Sequence, residues 1–161
     1  MRLVVLGWGN DARGDDALGP ALLDRIAAAW PDLPMVDDYQ LQIEHALDLV
    51  EADCALFLDA GKDTPAPFSF REIFPQDGIT HTTHALPPDS VLAVFRKVTG
   101  KTPPPAFLLC VRGESFELGE GLSSDGAARL EAAWDFLTHL RQAPTPDGFR
   151  ERCEPQVLPP R

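Results

Sequence analysis

Short, nearly continuous apolar runs alternate along this chain with stretches in which apolar residues recur every three or four positions. Leu3–Leu6 (LVVL), Ala55–Leu58 (ALFL) and Ala106–Val111 (AFLLCV) are runs of the first kind. A strand covered on both faces reads this way, because both of its sides meet hydrocarbon. Met35–Tyr39 is a shorter strand candidate, and Phe68–Phe74 (FSFREIF) alternates apolar and polar residues, as an edge strand or hairpin arm does. Between these runs the period changes. From Asp16 to Trp30, apolar residues fall at Leu18, Leu22, Ile26 and Trp30, with Ala21 and Ala29 beside them. The step of four predicts a helix, with Pro20 in its first turn, where a missing N–H costs little, and Pro31 closing it.

Glu44–Glu51 reads as a short helix with Ala46, Leu47 and Val50 apolar. Asp89 predicts the cap of a helix reaching about Val98, stopped by Gly100 and by Pro103–Pro105. Ser123–Leu140 is the longest helical stretch, with Leu130, Ala133, Leu137 and Leu140 on one face. Residues 80–88 (THTTHALPP) form a loop by composition. Strands alternating with helices predict an α/β fold, a three-layer α/β/α sandwich around a mainly parallel sheet. We expect one domain over residues 1–141. Residues 142–161 carry Pro144, Pro146, Pro155, Pro159 and Pro160 and lose helical periodicity, which predicts a tail, partly disordered or draped on the surface.

Composition narrows the partners more than the fold. The 161 residues suit a single domain with a real core. The formal net charge of -11 repels phosphate backbones, so nucleic acid is not expected as a partner, while a basic partner would be attracted. Cys54, Cys110 and Cys153 make an odd count without a CxxC pair. Cys54 and Cys110 lie in or beside apolar runs and read as small core residues in a reducing compartment. MRLVVLG is short for a signal peptide and no run approaches the ~18 residues of a membrane span, so a cytoplasmic protein without membrane partners is expected.

Candidate chemistry comes from three separated positions. Asp16 follows the first strand and its loop, Asp59 ends the third strand, and His84 lies in the 80–88 loop, with His81 as a substitute three residues earlier. Sites in α/β folds form where strand ends converge on the carboxyl edge of the sheet. An Asp, Asp, His set there would accept nickel, zinc, manganese or iron. Each has an ordinary structural explanation as well: acidic residues beginning a helix, an aspartate capping a turn, and a surface histidine. No GxSxG elbow, HExxH or CxxC motif is present. Two aspartates sharing a proton would have to stand about 3 Å apart.

A rival reading uses the same first loop. Gly7-x-Gly9-x-x-Ala12 follows a strand and matches the dinucleotide fingerprint, with Asp37 or Asp38 available for a ribose. Two objections weigh against it. The helical period begins only at Asp16–Leu18, too late for its N–H groups to face a pyrophosphate in the glycine loop. Asp11, Asp15 and Asp16 would crowd an anion, and Arg13 alone offsets little.

Together these residues resemble the hydrogenase maturation endopeptidases, which process the large subunit of nickel–iron hydrogenases. Leu6-Gly7-Trp8-Gly9-Asn10 followed by Gly14-Asp15-Asp16-Ala17-Leu18-Gly19 is similar to that family's G-x-G-N and D-D/E-G-x-G signature. Leu58-Asp59-Ala60 resembles its strand-end aspartate, and Thr83-His84 its histidine loop. Gln40-Leu41-Gln42-x-Glu44 and the segment from Gly113 to Ser123 resemble the branch serving soluble, NAD-reducing-type hydrogenases. The resemblance spans about residues 2–140. It departs at Ala17, where the family has glycine. A helical φ there would tolerate the alanine; a positive φ would strain it.

The resemblance implies a mainly parallel, twisted five-stranded sheet and an endopeptidase that removes a short C-terminal extension from a hydrogenase large-subunit precursor, behind a His or Arg. It implies Asp16, Asp59 and His84 as the metal-contacting residues, with nickel supplied by the substrate and no metal necessarily held tightly at rest. Asp16 and Asp59 are also the candidates for activating water, in which case the enzyme is an aspartyl protease in kind. Glu44, Asp37 and Asp38 are further residues that could line the cleft. The alternatives are a dinucleotide-binding oxidoreductase or regulator using the Gly7-x-Gly9 loop, or a maturation chaperone that holds the precursor without cutting it.

Overall fold

The continuous apolar runs become the central strands of one sheet. The computed structural model describes residues 1–77 and 86–154. Its strands are β1 (Leu3–Trp8), β2 (Met35–Asp38), β3 (Cys54–Gly61), β4 (Phe68–Ile73) and β5 (Ala106–Arg112), in the order β2-β1-β3-β5-β4. β2, β1, β3 and β5 are parallel neighbours, and β4 closes one edge antiparallel to β5. The alternating FSFREI segment is therefore the edge strand its pattern predicts.

Helices cover both faces. α1 (Leu18–Ala29) and α3 (Ser124–Leu140) pack Leu22, Ile26, Ala133 and Leu137 against Val5, Leu56 and Leu109. On the other face, α2 (Pro88–Thr99) and a 3-10 helix at Ile43–Leu49 pack Val91, Leu92, Phe95, Ala46 and Leu49 against Val4, Leu6, Phe57 and Leu108. Successive strand residues point to opposite faces, so each central strand feeds both cores. Among the described residues, no helix is long and apolar enough to cross a membrane.

Local chemistry explains where the elements start. A 3-10 turn at Gly14–Ala17 precedes α1, so the α-helix proper begins at Leu18, two residues after the predicted start. Gly19 lets α1 close on the sheet: a Cβ there would stand 2.4 Å from the Trp8 carbonyl oxygen. The Glu44–Glu51 helix is observed as 3-10, held by reciprocal capping between Gln42 and His45. α2 starts two residues earlier than expected, capped at Pro87, with Pro88 in its first turn and Asp89 inside the helix, accepting the Ser90 N–H at 3.0 Å. Gly100 ends it in the left-handed region, φ +69, where glycine is at home.

The proline-rich segment corrects the expectation of a tail without helical structure. Residues Pro146–Glu151 form α4, capped by the Thr145 hydroxyl, which accepts the Gly148 N–H at 3.0 Å. Phe149 is fully buried beside Phe70 and Phe107. Arg150 forks onto both carboxylate oxygens of Glu72 at 2.9 Å, and the Glu154 N–H donates to the Phe70 carbonyl. A six-residue helix with a single large apolar anchor has no period to detect, which is why the pattern missed it. Residues 155–161 lie outside the described residues. Phe149→Ala is expected to cost about 3–5 kcal/mol in urea unfolding; a segment merely resting on the surface would change stability by less than about 0.5 kcal/mol.

Candidate active site at the carboxyl edge of the sheet

Three parallel strands deliver their carboxyl ends side by side. Gly7 pairs with Leu58, Leu58 with Leu109, and Asp59 with Cys110. Asp59 stands just past the last β1–β3 pair, but β3 runs two residues beyond it to Gly61 against β5, so the strand does not end at Asp59 as the apolar run predicted. Residues 9–17 return over this edge. Gly9 has φ +147, and a Cβ on it would lie 2.0 Å from the Asp16 carbonyl oxygen, so only glycine fits. The Asn10 side chain accepts the Ala12 N–H at 2.9 Å, and the Asn10 N–H donates to Asp16 Oδ2 at 2.6 Å.

The acidic pair Asp15-Asp16 divides its labour. Asp15 is fully buried. It accepts the Ser123 hydroxyl at 2.6 Å, the Glu114 N–H at 2.7 Å, the Ser123 N–H at 2.8 Å and the Ser115 N–H at 3.3 Å. Burial alone would push its carboxyl up, but these four donors more than offset it and hold the group below its ordinary value. Its backbone joins the same knot, the Asp15 N–H donating to the Ser115 carbonyl at 2.7 Å and the Gly14 N–H to the Glu120 carbonyl at 3.0 Å. Gly113 and Gly126 leave room for it: a Cβ at Gly126 would stand 2.2 Å from Asp15 Oδ1. The Gly113–Ser123 motif is thus a cage for Asp15. Ala17, at the position of the family glycine, has φ -75, so the alanine is unstrained.

Asp16 is left facing the edge. Among the described residues, Asp16 Oδ2 accepts the Asn10 N–H and Asp59 Oδ1 accepts the Ala60 N–H at 2.7 Å, with no protein donor on the second oxygen of either. Both side chains are half-buried. Burial pushes Asp59 up to about 6, the Ala60 N–H offsets part of this, and the negative charge of Asp16 adds to it. The two carboxylates are electrostatic neighbours.

A second acidic feature adjoins this one. Gly9, Asp11, Pro20, Asp37, Asp38 and Tyr39 line an open pocket of about 260 Å³. Burial, then Asp24, Asp38 and Asp11, raise the Asp37 carboxyl above its usual range. Asp38 is fixed by His45, a buried residue that sequence reasoning passed over. His45 Nδ1 accepts the Gln42 N–H at 2.7 Å, so Nε2 bears the proton and faces Asp38 Oδ2 at 3.2 Å. Only the Gln42-x-x-His45 spacing at a helix start could have signalled this. The pocket's charge and the late start of α1 are both wrong for a pyrophosphate. Glu44 is exposed on the 3-10 helix.

His84 and His81 lie outside the described residues. The described chain resumes at Leu86, whose N–H donates to the Leu41 carbonyl at 3.2 Å, beside the end of β2. Among the described residues, no group of three or more His, Cys, Asp and Glu is arranged to hold a metal ion. Cys54 is buried, which pushes its thiol up to about 12, and the Cys110 sulfur sits 3.0 Å from the Thr64 hydroxyl. Neither has the electropositive setting of a nucleophile.

No protein-family model and no curated protein matches the chain. Solved structures do. A nickel–iron hydrogenase maturation protease, HycI, from Thermococcus kodakarensis is 25% identical over 86% of this chain and 90% of its own, with a TM-score of 0.64. The hydrogenase maturating endopeptidase HybD from E. coli is 25% identical over 89% and 94%, with a TM-score of 0.67. An endopeptidase from Escherichia coli is 25% identical over 90% and 95%, with a TM-score of 0.68. The structural neighbours are hydrogenase maturation proteases, hydrolases by class, and the resemblance read in the sequence extends to nearly the whole fold.

Two substitutions test this electrostatic description. Asp15→Asn is expected to lower stability by on the order of 3 kcal/mol at pH 7, since hydrogen bonds to a buried charge are lost. Because the folded carboxyl lies below its unfolded value, the wild-type advantage should be present above about pH 4 and shrink as acid protonates the folded state. Asp59→Asn should act in the opposite sense. A carboxyl raised to about 6 from 3.8 favours the fold at low pH, and that contribution is lost as pH rises through 6. The asparagine should therefore stabilise by about 3 kcal/mol at pH 7–8, with the gain fading toward pH 4. Urea midpoints across that range read both.

Proposed function

We propose that this chain is a hydrogenase maturation endopeptidase. It removes the C-terminal extension of a nickel–iron hydrogenase large-subunit precursor after nickel has been inserted, and it acts in the cytoplasm. The observation that supports this best is the pair Asp16 and Asp59. They come from separate segments, sit at the carboxyl edge, and each keeps one oxygen without a donor among the described residues, in a fold shared with such proteases.

Two half-satisfied carboxylates are a weak cation trap on their own. They suit a metal that arrives already held by the substrate, because an incomplete set leaves positions for the client's own ligands. His84 would complete the protease's share, and the Leu86–Leu41 bond returns the chain beside β2 just after it. A precursor without nickel offers nothing to the two aspartates, so loading with metal becomes the condition for productive binding. Hydrolysis then needs one water. Its oxygen bonds to the scissile carbonyl carbon, one aspartate accepts its proton, and the C–N bond breaks as the amine takes a proton. We assign the client to the soluble, NAD-reducing type of hydrogenase on the Gln40–Glu44 and Gly113–Ser123 motifs.

Purified protein should shorten a nickel-loaded precursor and leave the metal-free precursor intact, as read by mass spectrometry. Asp16→Ala, Asp59→Ala and His84→Ala should each lower kcat/KM by about a hundredfold or more, as loss of a group acting on the reacting centre does. Full activity in all three variants would overturn the assignment. Binding of loaded precursor by the wild type with no change in precursor mass would make the protein a chaperone instead.

A further inference from the structure

The segment from Tyr39 to Val50, which includes the 3-10 helix between β2 and β3, exposes four large apolar residues. Tyr39, Ile43, Leu47 and Val50 are exposed by 71%, 61%, 60% and 53%. Ile43 and Leu47 lie on the 3-10 helix, Val50 is its C-cap and Tyr39 stands just after β2. The same segment turns Leu41, His45, Ala46 and Leu49 inward, so its inner side is already committed to the core. Four large exposed apolar residues within one short segment are more than the scattered single exposures common on protein surfaces.

The surroundings state what kind of surface would cover them. Glu44, Asp48, Glu51 and Asp53 are exposed around the stripe, and the chain as a whole carries a net charge of -11. Of these, Glu51 meets Arg2 in an exposed ion pair, leaving the rim strongly negative. Such a rim repels a second copy of the same face and attracts a basic one. At its other end the stripe runs into the site: Tyr39 lines the acidic pocket with Gly9, and Gly9 packs against Asp16.

We propose that the Tyr39–Val50 stripe is the docking surface for the body of the client polypeptide, through an apolar patch rimmed by lysine and arginine. This deepens the proposed function and rests on it: the stripe holds the folded part of the client while its C-terminal segment reaches the aspartates. Anchors of this size dominate binding when their centre is dry, and the acidic rim speeds encounter. The stripe contributes to KM and not to the chemical step.

The test uses the full-length protein and a nickel-loaded hydrogenase large-subunit precursor, with binding and cleavage measured separately. Ile43→Ser with Leu47→Ser should weaken precursor binding by about tenfold or more and raise KM to match, while kcat stays within about twofold. Glu44→Gln with Asp48→Asn should slow association and flatten its dependence on salt. Both positions are exposed, and an unchanged urea midpoint would show that the fold is intact. If wild type cleaves and the serine variant binds and cleaves equally well, the docking proposal is overturned while the protease assignment stands. If wild type binds without cleaving and the serine variant fails to bind, the docking surface stands and the protease assignment falls. If wild type sediments as a dimer that the serine variant dissolves, the stripe joins two copies and the proposal is overturned.

Discussion

A single buried carboxylate holds the carboxyl edge of the sheet together. Asp15 receives four hydrogen bonds from the loop after β5 and from the residue that caps α3, while its backbone ties the loop after β1 to the same place. A charge taken out of water is tolerated only when donors surround it, and here the donors come from residues 114–123, about a hundred positions away. Three otherwise independent pieces, the 9–17 loop, the 113–123 loop and the start of α3, are thereby one body. The position of Asp16 is a consequence: it follows a residue that cannot move without exposing an unsatisfied charge.

The same edge holds a group that opposes folding at neutral pH. Asp59 has lost water by burial, gains one amide in return and faces the charge of Asp16. Left to stability alone, an amide would serve better there. Carboxylates that are poorly satisfied where strand ends converge are a common mark of functional sites, because the missing partner is the ligand. Asp15 and Asp59 are thus opposite solutions to one problem, the first satisfied within the chain and the second left open. On the proposed function, the client's nickel supplies what Asp59 lacks.

Much of this was written in the hydrophobic pattern. The three central strands are the three continuous apolar runs, and the alternating segment is the edge strand, because burial on two faces or one leaves different periods. Asp59 was legible because a polar residue directly after ALFL marks where the fully buried part of the strand ends. The division between Asp15 and Asp16 was not legible, since adjacent aspartates look alike until long-range donors are placed. Nor was His45, whose partners are a backbone N–H and a carboxylate in the preceding strand. α4 escaped because one phenylalanine carries no periodicity. The Gly113–Ser123 motif was visible as a resemblance, but its physical meaning, a cage for a carboxylate, required the fold.

The central claim is that Asp16 and Asp59 together present open oxygens to a metal borne by the substrate. Crystals of the protein in complex with a nickel-loaded client fragment, measured by anomalous scattering at the nickel edge, test it most directly. The account predicts a nickel peak with an oxygen from each aspartate at about 2.0–2.2 Å. A peak ligated by the client alone, with both carboxylates turned away, would contradict it.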